Sequence, residues 1–364
     1  MKVLFIALGI FHPEGGMERY NQRVVRVLSE LVQGHNIESA TVLSLWDDKN
    51  CGKVPGIYFQ GFGSNKFKAL FSFLNRLRIE RPDVVLYGHI LFAPLALVAK
   101  TLYPKCKPIT FVYGVEVWEE PSRIFRWICS KAFDNFIAIS QYTERAMISA
   151  YQLPAERISL LYAATDSQSV DRFSSGSVNL CGKFNILSVC RLSTASVHKN
   201  IDKVIKAISE VLKKFPDTHY YIIGDGDWRN DLERLCIKSG VELNVHFTGW
   251  VDDLERDAYY MASDIFVLPS VGEGFGIVFL EAWKYQLPVV TSNHGAAPEV
   301  VEDGRGGLCV DPEPARIAQA INTLLSDDQM RKRMGYFGNQ KLTTFYTHQR
   351  FQEQLLQYLQ NSIQ

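Results

Sequence analysis

Short, almost wholly apolar runs alternate along the chain with longer stretches in which apolar positions recur every third or fourth residue. In the first half the short runs are KVLFIAL (2–8), SATVLSL (39–45), DVVLYG (83–88), PITFVYG (108–114), NFIAIS (135–140) and RISLLY (157–162). Runs that are apolar at odd and even positions alike read as strands buried on both faces, as in a parallel sheet. Between the first two lies MERYNQRVVRVLSELV (17–32), in which Val24, Val25, Leu28 and Leu31 recur at helical spacing. This alternation predicts right-handed β–α–β crossovers and an α/β fold.

The pattern lapses at TDSQSVDRFSSGSVNLCG (165–182), rich in serine and poor in apolar residues, which reads as a linker. It resumes with FNILSVC (184–190), HYYIIGDG (219–226), NVHFTGW (244–250), DIFVLPS (264–270), LPVVTS (287–292) and GGLCVD (306–311). Two doubly wound domains in tandem are expected, over residues 1–165 and 183–345. A polar-amphipathic helix from about Thr343 to Gln364 has the pattern to pack on either. Open α/β sheets bind ligands beyond the carboxyl ends of their strands, so the expected site is a cleft between the domains.

Composition narrows this little. The 364 residues are 47% hydrophobic and 21% charged, with 39 basic and 39 acidic side chains. That balance lacks the basic footprint of a nucleic-acid partner. Seven scattered cysteines with no C-x-x-C pair read as reduced thiols of a cytoplasmic protein. The opening apolar run breaks at Pro13 and reads as a first strand rather than a signal peptide. No run of ~20 apolar residues suggests a membrane span.

Three stretches carry chemistry. In SVGEGFGIVFLEAW (270–283), a buried strand is followed by a glycine turn and a helix start. Free N–H groups and the positive dipole end there suit a phosphate. Glu281 lies four residues after Ile277 and can accept two hydroxyls, as a ribose diol requires. Glu273 precedes the helix and could reach hydroxyls of a second group; the alternative is a surface ion pair for Glu281 and a solvated Glu273. In VCRLSTASVHKNID (189–202), Arg191 follows a strand and Lys199 precedes a helix. Two such cations could neutralise a leaving diphosphate; no metal is expected. Gly15 and Gly16, between the first strand and first helix, would let backbone approach an anionic or sugar ligand. IIGDGDWR (222–229) does not complete a dinucleotide fingerprint, because Arg229 occupies the third glycine position.

Taken together, GG-x-E (15–18), AIS-x-YT (138–143), R…K (191, 199), GDG (224–226), GW-V (249–251) and LPS…EGFG…E (268–281), followed by HGAAPEVVEDGRGGLCV (294–310), resemble the retaining glycosyltransferases of the GT-B fold, family 4. The resemblance spans nearly the whole chain. It implies two Rossmann-like domains facing across a cleft, with residues after about 346 returning to the N-terminal, acceptor-side domain. It assigns the donor diphosphate to Arg191 and Lys199, the ribose to Glu281 and the donor sugar to Glu273. Backbone around Gly274, Phe275, Gly276 and Ile277 would lie nearby, Trp250 and Val251 by the base, and Gly15 and Gly16 facing the donor from the N-domain. The implied reaction moves a hexose from a GDP- or UDP-sugar to a hydroxyl of a growing glycan or lipid-linked saccharide, in polysaccharide or cell-envelope synthesis, without a cofactor. A nucleotide-sugar epimerase and a weakened sugar-nucleotide binder are the alternatives.

Two departures stand out. Where relatives often read HG-x-E-V-W, this chain has YGVEVW, so Tyr113 occupies the position of a histidine thought to support the donor sugar. Tyrosine donates a hydrogen bond but carries no positive charge. Either Tyr113 substitutes for it, or His89 in YGHI takes the task, or activity is altered. LYAATD (161–166) keeps only Asp166 of an N-G-V-D loop. Finally, NKFKALFSFLNRLRIERP (65–82) is basic and amphipathic. It reads either as a crossover helix burying Leu70, Leu74 and Leu77 or, given Phe71 and Phe73, as a peripheral contact with the inner face of the cytoplasmic membrane.

Overall fold

The computed structural model describes residues 1–12, 15–48, 54–166 and 178–363. They form two compact units, Met1–Ala164 with Gln349–Gln364, and Thr165–His348. Most of the serine-rich segment, 167–177, and Cys51 lie outside the described residues.

The first unit is built on seven strands: β1 (Lys2–Ala7), β2 (Ser39–Ser44), β3 (Tyr58–Gly61), β4 (Val84–Tyr87), β5 (Lys107–Val112), β6 (Asn135–Ala138) and β7 (Ile158–Leu160). All pair in parallel, in the order β3-β2-β1-β4-β5-β6-β7. The order reverses between β1 and β4. Their side chains are buried on both faces; Leu4, Phe5, Val42, Val85, Leu86 and Phe111 have no exposed surface. Each such side chain contributes about 1.5–3 kcal/mol on burial, which is why the runs carry no alternation. β3 is announced only by the short run Ile57-Tyr58-Phe59. It is a four-residue edge strand, only Gly61 of which is buried.

The helix Gly16–Gln33 buries Tyr20, Val24, Val27, Leu28 and Leu31 and stops at Gly34. The chain's end forms two helices rather than one. Asp328–Phe345 and His348–Ile363 are separated where Thr165 bridges Thr347 and the Thr165 N–H reaches the Tyr346 carbonyl at 3.1 Å. In the second of them Phe351 packs edge-on against Tyr20, centroids 5.3 Å apart, and the Tyr358 hydroxyl donates to the Leu160 carbonyl at 2.6 Å.

The second unit holds β8 (Phe184–Val189), β9 (Thr218–Ile223), β10 (Val245–Gly249), β11 (Ile265–Leu268), β12 (Val289–Ser292) and β13 (Gly307–Val310). This sheet is also parallel, in the order β10-β9-β8-β11-β12-β13, reversing between β8 and β11. The helix Ile277–Lys284 buries Trp283 completely against the helix Asp328–Phe345. Gly338 makes this approach possible: a Cβ there would stand 2.2 Å from the Trp283 ring.

The helix Lys66–Glu80 corrects one expectation. Its buried row is Ala69, Phe73 and Leu77. Leu70 is 43% exposed, beside Phe67 at 87% and Phe71 at 76%. The i, i+4 row 69–73–77 sets the helix phase, which turns Leu70 outward and Phe73 in. Arg76 stacks over Tyr58 at 3.8 Å and pairs with Glu80 at 2.8 Å, so part of the basic face is engaged within the fold. No helix among the described residues is long and apolar enough to cross a membrane.

Candidate active site

In each unit the reversal of strand order opens a crevice at the carboxyl ends of two strands. In the second unit those strands are β8 and β11, and the loops after them carry Arg191, Lys199 and Glu273. Two contacts stitch the loops together. Asn200, buried and left-handed at φ +59°, donates its amide to the Pro269 carbonyl at 2.7 Å. The Val271 N–H reaches the His198 carbonyl at 3.0 Å. The result brings Lys199 Nζ within 2.5 Å of Glu273 Oε2, with only 20% and 13% of the two side chains exposed. The two residues expected on different parts of a donor are thus paired with each other. Arg191 is exposed, on the same connection after β8 as Lys199. His198, half-buried, is held below the ordinary histidine range by burial first and by Lys199 second.

The glycine turn of 224–226 is explained by packing. Gly224 and Gly226 have φ of +132° and +155°, and a Cβ on them would stand 1.9 and 2.1 Å from the Cys190 and Leu192 carbonyl oxygens. The turn therefore seats the start of the Arg191 loop. Asp225-Gly226-Asp227 also spells D-x-D, a triplet able to bridge a metal to a diphosphate, which the expectation of a metal-free site overlooked. Asp227 accepts from the Thr194 N–H at 2.8 Å and the Thr194 hydroxyl at 2.7 Å, and Asp225 accepts from the Gly226 N–H at 2.8 Å. Among the described residues no group of three or more metal-ligating side chains gathers.

The helix Ile277–Lys284 starts at Gly276, φ +92°, with no side-chain cap on its first N–H groups. Phe275 is buried, its ring edge-on to Tyr346 at 5.4 Å, so that residue offers the crevice backbone rather than side chain. Gly274 and Ile277 are partly exposed on either side. Glu281, one turn in, accepts from the Tyr260 hydroxyl at 3.0 Å, and Arg256 Nε stands 3.8 Å from the same oxygen. Burial opposes the Arg256 charge, but Glu281 and Asp253 outweigh it and raise its pKa. Arg256 and Tyr260, which orient Glu281, were not legible as site residues, since they sit on the separate helix Asp253–Ala262. After β10, Trp250 is 70% exposed while Val251 is buried.

In the first unit the crevice lies past β1 and β4. Asp47 pins the loop after β1 by accepting from the N–H groups of Ile10, Phe11 and His12 at 2.8, 3.0 and 2.8 Å. Gly15 caps the helix Gly16–Gln33 without a side chain, and a Cβ on Gly16 would meet nothing within 4 Å. His89 lies two residues beyond the end of β4. Tyr113 follows β5, nearly buried, and its hydroxyl donates to Asn21 Oδ1 at 2.7 Å, while Asn21 donates to the Gly9 carbonyl at 2.9 Å.

Two family models match: Glycosyltransferase Family 4 over residues 14–169 and Glycosyl transferases group 1 over residues 178–341. The chain belongs to the group 1 glycosyltransferases of the GT-B fold. Similar proteins include a GDP-mannose-dependent alpha-(1-6)-phosphatidylinositol monomannoside mannosyltransferase of Mycolicibacterium smegmatis, 36% identical; that match spans 41% of either chain. The lipopolysaccharide core biosynthesis glycosyltransferase LpsE of Rhizobium meliloti is 24% identical over 96% of this chain and 97% of its own. Among solved structures, Anabaena HepE in complex with UDP and glucose superposes with a TM-score of 0.80 over 99% of this chain and 100% of its own, at 19% identity. Glycosyl transfer in glycan biosynthesis is this chain's activity class.

Proposed function

We propose that this glycosyltransferase moves a hexose from a nucleoside diphosphate sugar to a hydroxyl of a lipid-linked or growing saccharide, with retention at the anomeric carbon and without a metal. The observation that carries the donor assignment is the crevice past β8 and β11. There a lysine, a carboxylate and an uncapped helix start converge, with a second, anchored carboxylate one helical turn further on. In this reading Lys199, Arg191 and the N–H groups after Gly276 hold the diphosphate as its charge grows during departure. Glu281, oriented by Tyr260 and Arg256, takes the ribose diol; Glu273 takes hydroxyls of the sugar; Trp250 and Val251 flank the base. Acceptor binding falls to loops of the first unit. The GDP-mannose and UDP named for the relatives support the donor class, and both bases are candidates. The exposed Phe67 and Phe71, with Lys66 and Lys68 beside them, are the proposed contact with an anionic membrane surface.

Thermal-shift screening with UDP, GDP and their hexose conjugates tests the donor class. A ligand at 100 times its Kd adds about 2.7 kcal/mol of stability. A flat response to every nucleotide refutes the assignment. Proton NMR of the first-formed product then reads retention directly.

A further inference from the structure

The crevice of the first unit holds an imidazole whose geometry singles it out. His89 begins the turn that follows β4, at the place where strand order reverses. Its Nδ1 accepts the Leu91 N–H at 3.1 Å. A singly protonated ring then carries its proton on Nε2. The ring lies nearly parallel to Tyr113, 29° off, with centroids 6.5 Å apart. Tyr113 has its own hydroxyl committed to Asn21. Of these two neighbouring rings, only the imidazole has a donor with no partner inside the unit assigned to it by this bonding pattern.

We propose that His89, and not Tyr113, is the substrate-contacting residue of the first unit, donating its Nε2–H to a sugar hydroxyl. This rests on the glycosyl-transfer reading above; the hydroxyl belongs either to the transferred hexose or to the accepting saccharide. Two features keep the ring neutral for this purpose. A proton on Nδ1 would break the Leu91 bond, and burial lowers the imidazole pKa, opposed by Glu116. Glu116 is itself held by the Tyr113 N–H. Tyr113 keeps its hydroxyl on Asn21, with its ring 6.5 Å from the imidazole, so the hydroxyl takes no part in the contact.

His89→Asn separates this role from capping, because asparagine also caps a helical turn. The variant is expected to keep the melting temperature and the nucleoside diphosphate affinity of the wild type. Its kcat/KM should fall at least 10-fold, and His89→Gln, whose amide can reach the Nε2 position, should recover part of the loss. Tyr113→Phe should keep kcat/KM within about 3-fold. A loss confined to the KM for nucleotide sugar assigns the hydroxyl to the donor, and one confined to the KM for acceptor assigns it to the acceptor. Full activity in His89→Asn, or a larger loss in Tyr113→Phe, overturns the proposal. Independently of turnover, long-range 1H–15N correlation should show His89 as the Nε2–H tautomer; an Nδ1–H tautomer also overturns it. Absence of nucleotide binding by the wild type would instead sink the glycosyl-transfer reading itself.

Discussion

Lys199 and Glu273 offer the sharpest perturbation, because the account requires opposite responses from two partners of one ion pair. Their side chains are 20% and 13% exposed with Nζ and Oε2 at 2.5 Å. Such a pair lies between an exposed one, worth 0–1 kcal/mol, and a fully buried one, whose breakage costs about 3–5 kcal/mol. Lys199→Ala should therefore lower stability by about 1–2 kcal/mol, or roughly 2–8 °C in a unit of this size. It also removes a charge-assisted contact to the diphosphate, worth about 1.5–3 kcal/mol, so the Kd for the bound nucleoside diphosphate should rise about 10- to 150-fold. Glu273→Gln removes a carboxylate that competes with the diphosphate for the same ammonium. Nucleoside diphosphate should then bind more tightly, by about 1 kcal/mol or roughly fivefold, while transfer is lost with the sugar contact. Isothermal titration calorimetry with UDP and GDP reads both variants. Equal weakening in the two, or no change in Lys199→Ala, would refute the reasoning.

Four further outcomes follow from the same structure. Asn21→Ala leaves the Tyr113 hydroxyl and the Gly9 carbonyl without their buried partner; at about 1–3 kcal/mol for each orphaned group, chemical denaturation should show a loss of several kcal/mol. Gly335→Ala would place a Cβ 1.7 Å from the Gln286 carbonyl oxygen, and overpacking of about 1–3 kcal/mol should appear as a lower melting temperature. Stability should fall with acid: the pKa of His246 is lowered by burial and then by His219, as those of His89 and His198 are by burial first. Depressed folded pKa values mean that the unfolded chain takes up protons first, so stability is fully present above the unfolded histidine pKa of about 6.5 and is lost as pH drops through the folded values. Melting curves between pH 8 and pH 5 check this, and His246→Phe should flatten the slope. Replacing Phe67 and Phe71 by glutamate should abolish co-sedimentation with anionic vesicles if that face contacts a membrane.

Nearly all strands could be read from the chain because parallel sheets covered on both sides demand unbroken apolar runs. β3 escaped because an edge strand has one partner and half-exposed positions. The terminal helix was placed but not its break at Tyr346–Thr347, which is set by pairing with Thr165, some 180 residues away in sequence. In the candidate site, residues on the connections after strand ends were visible: Arg191 and Lys199 follow β8, and Glu273 and Glu281 follow β11. What the sequence hid was the partnership between them. Nothing in the spacing of Lys199 and Glu273 announces an ion pair, nor does Glu281 announce Arg256 and Tyr260, because these contacts join separate crossovers. The phase of Lys66–Glu80 was misread for a related reason: Leu70 and Phe73 are both apolar, and only the neighbouring sheet decides which turns inward.

The central claim is that a nucleoside diphosphate seats in the crevice past β8 and β11. A crystal structure with the nucleotide chosen by thermal-shift screening tests it most directly. The account predicts diphosphate oxygens within hydrogen-bonding distance of Lys199 Nζ and of an N–H at the start of the helix Ile277–Lys284, with both ribose hydroxyls on Glu281. A nucleotide bound elsewhere, or one bound here with Lys199 still turned wholly to Glu273, would contradict it.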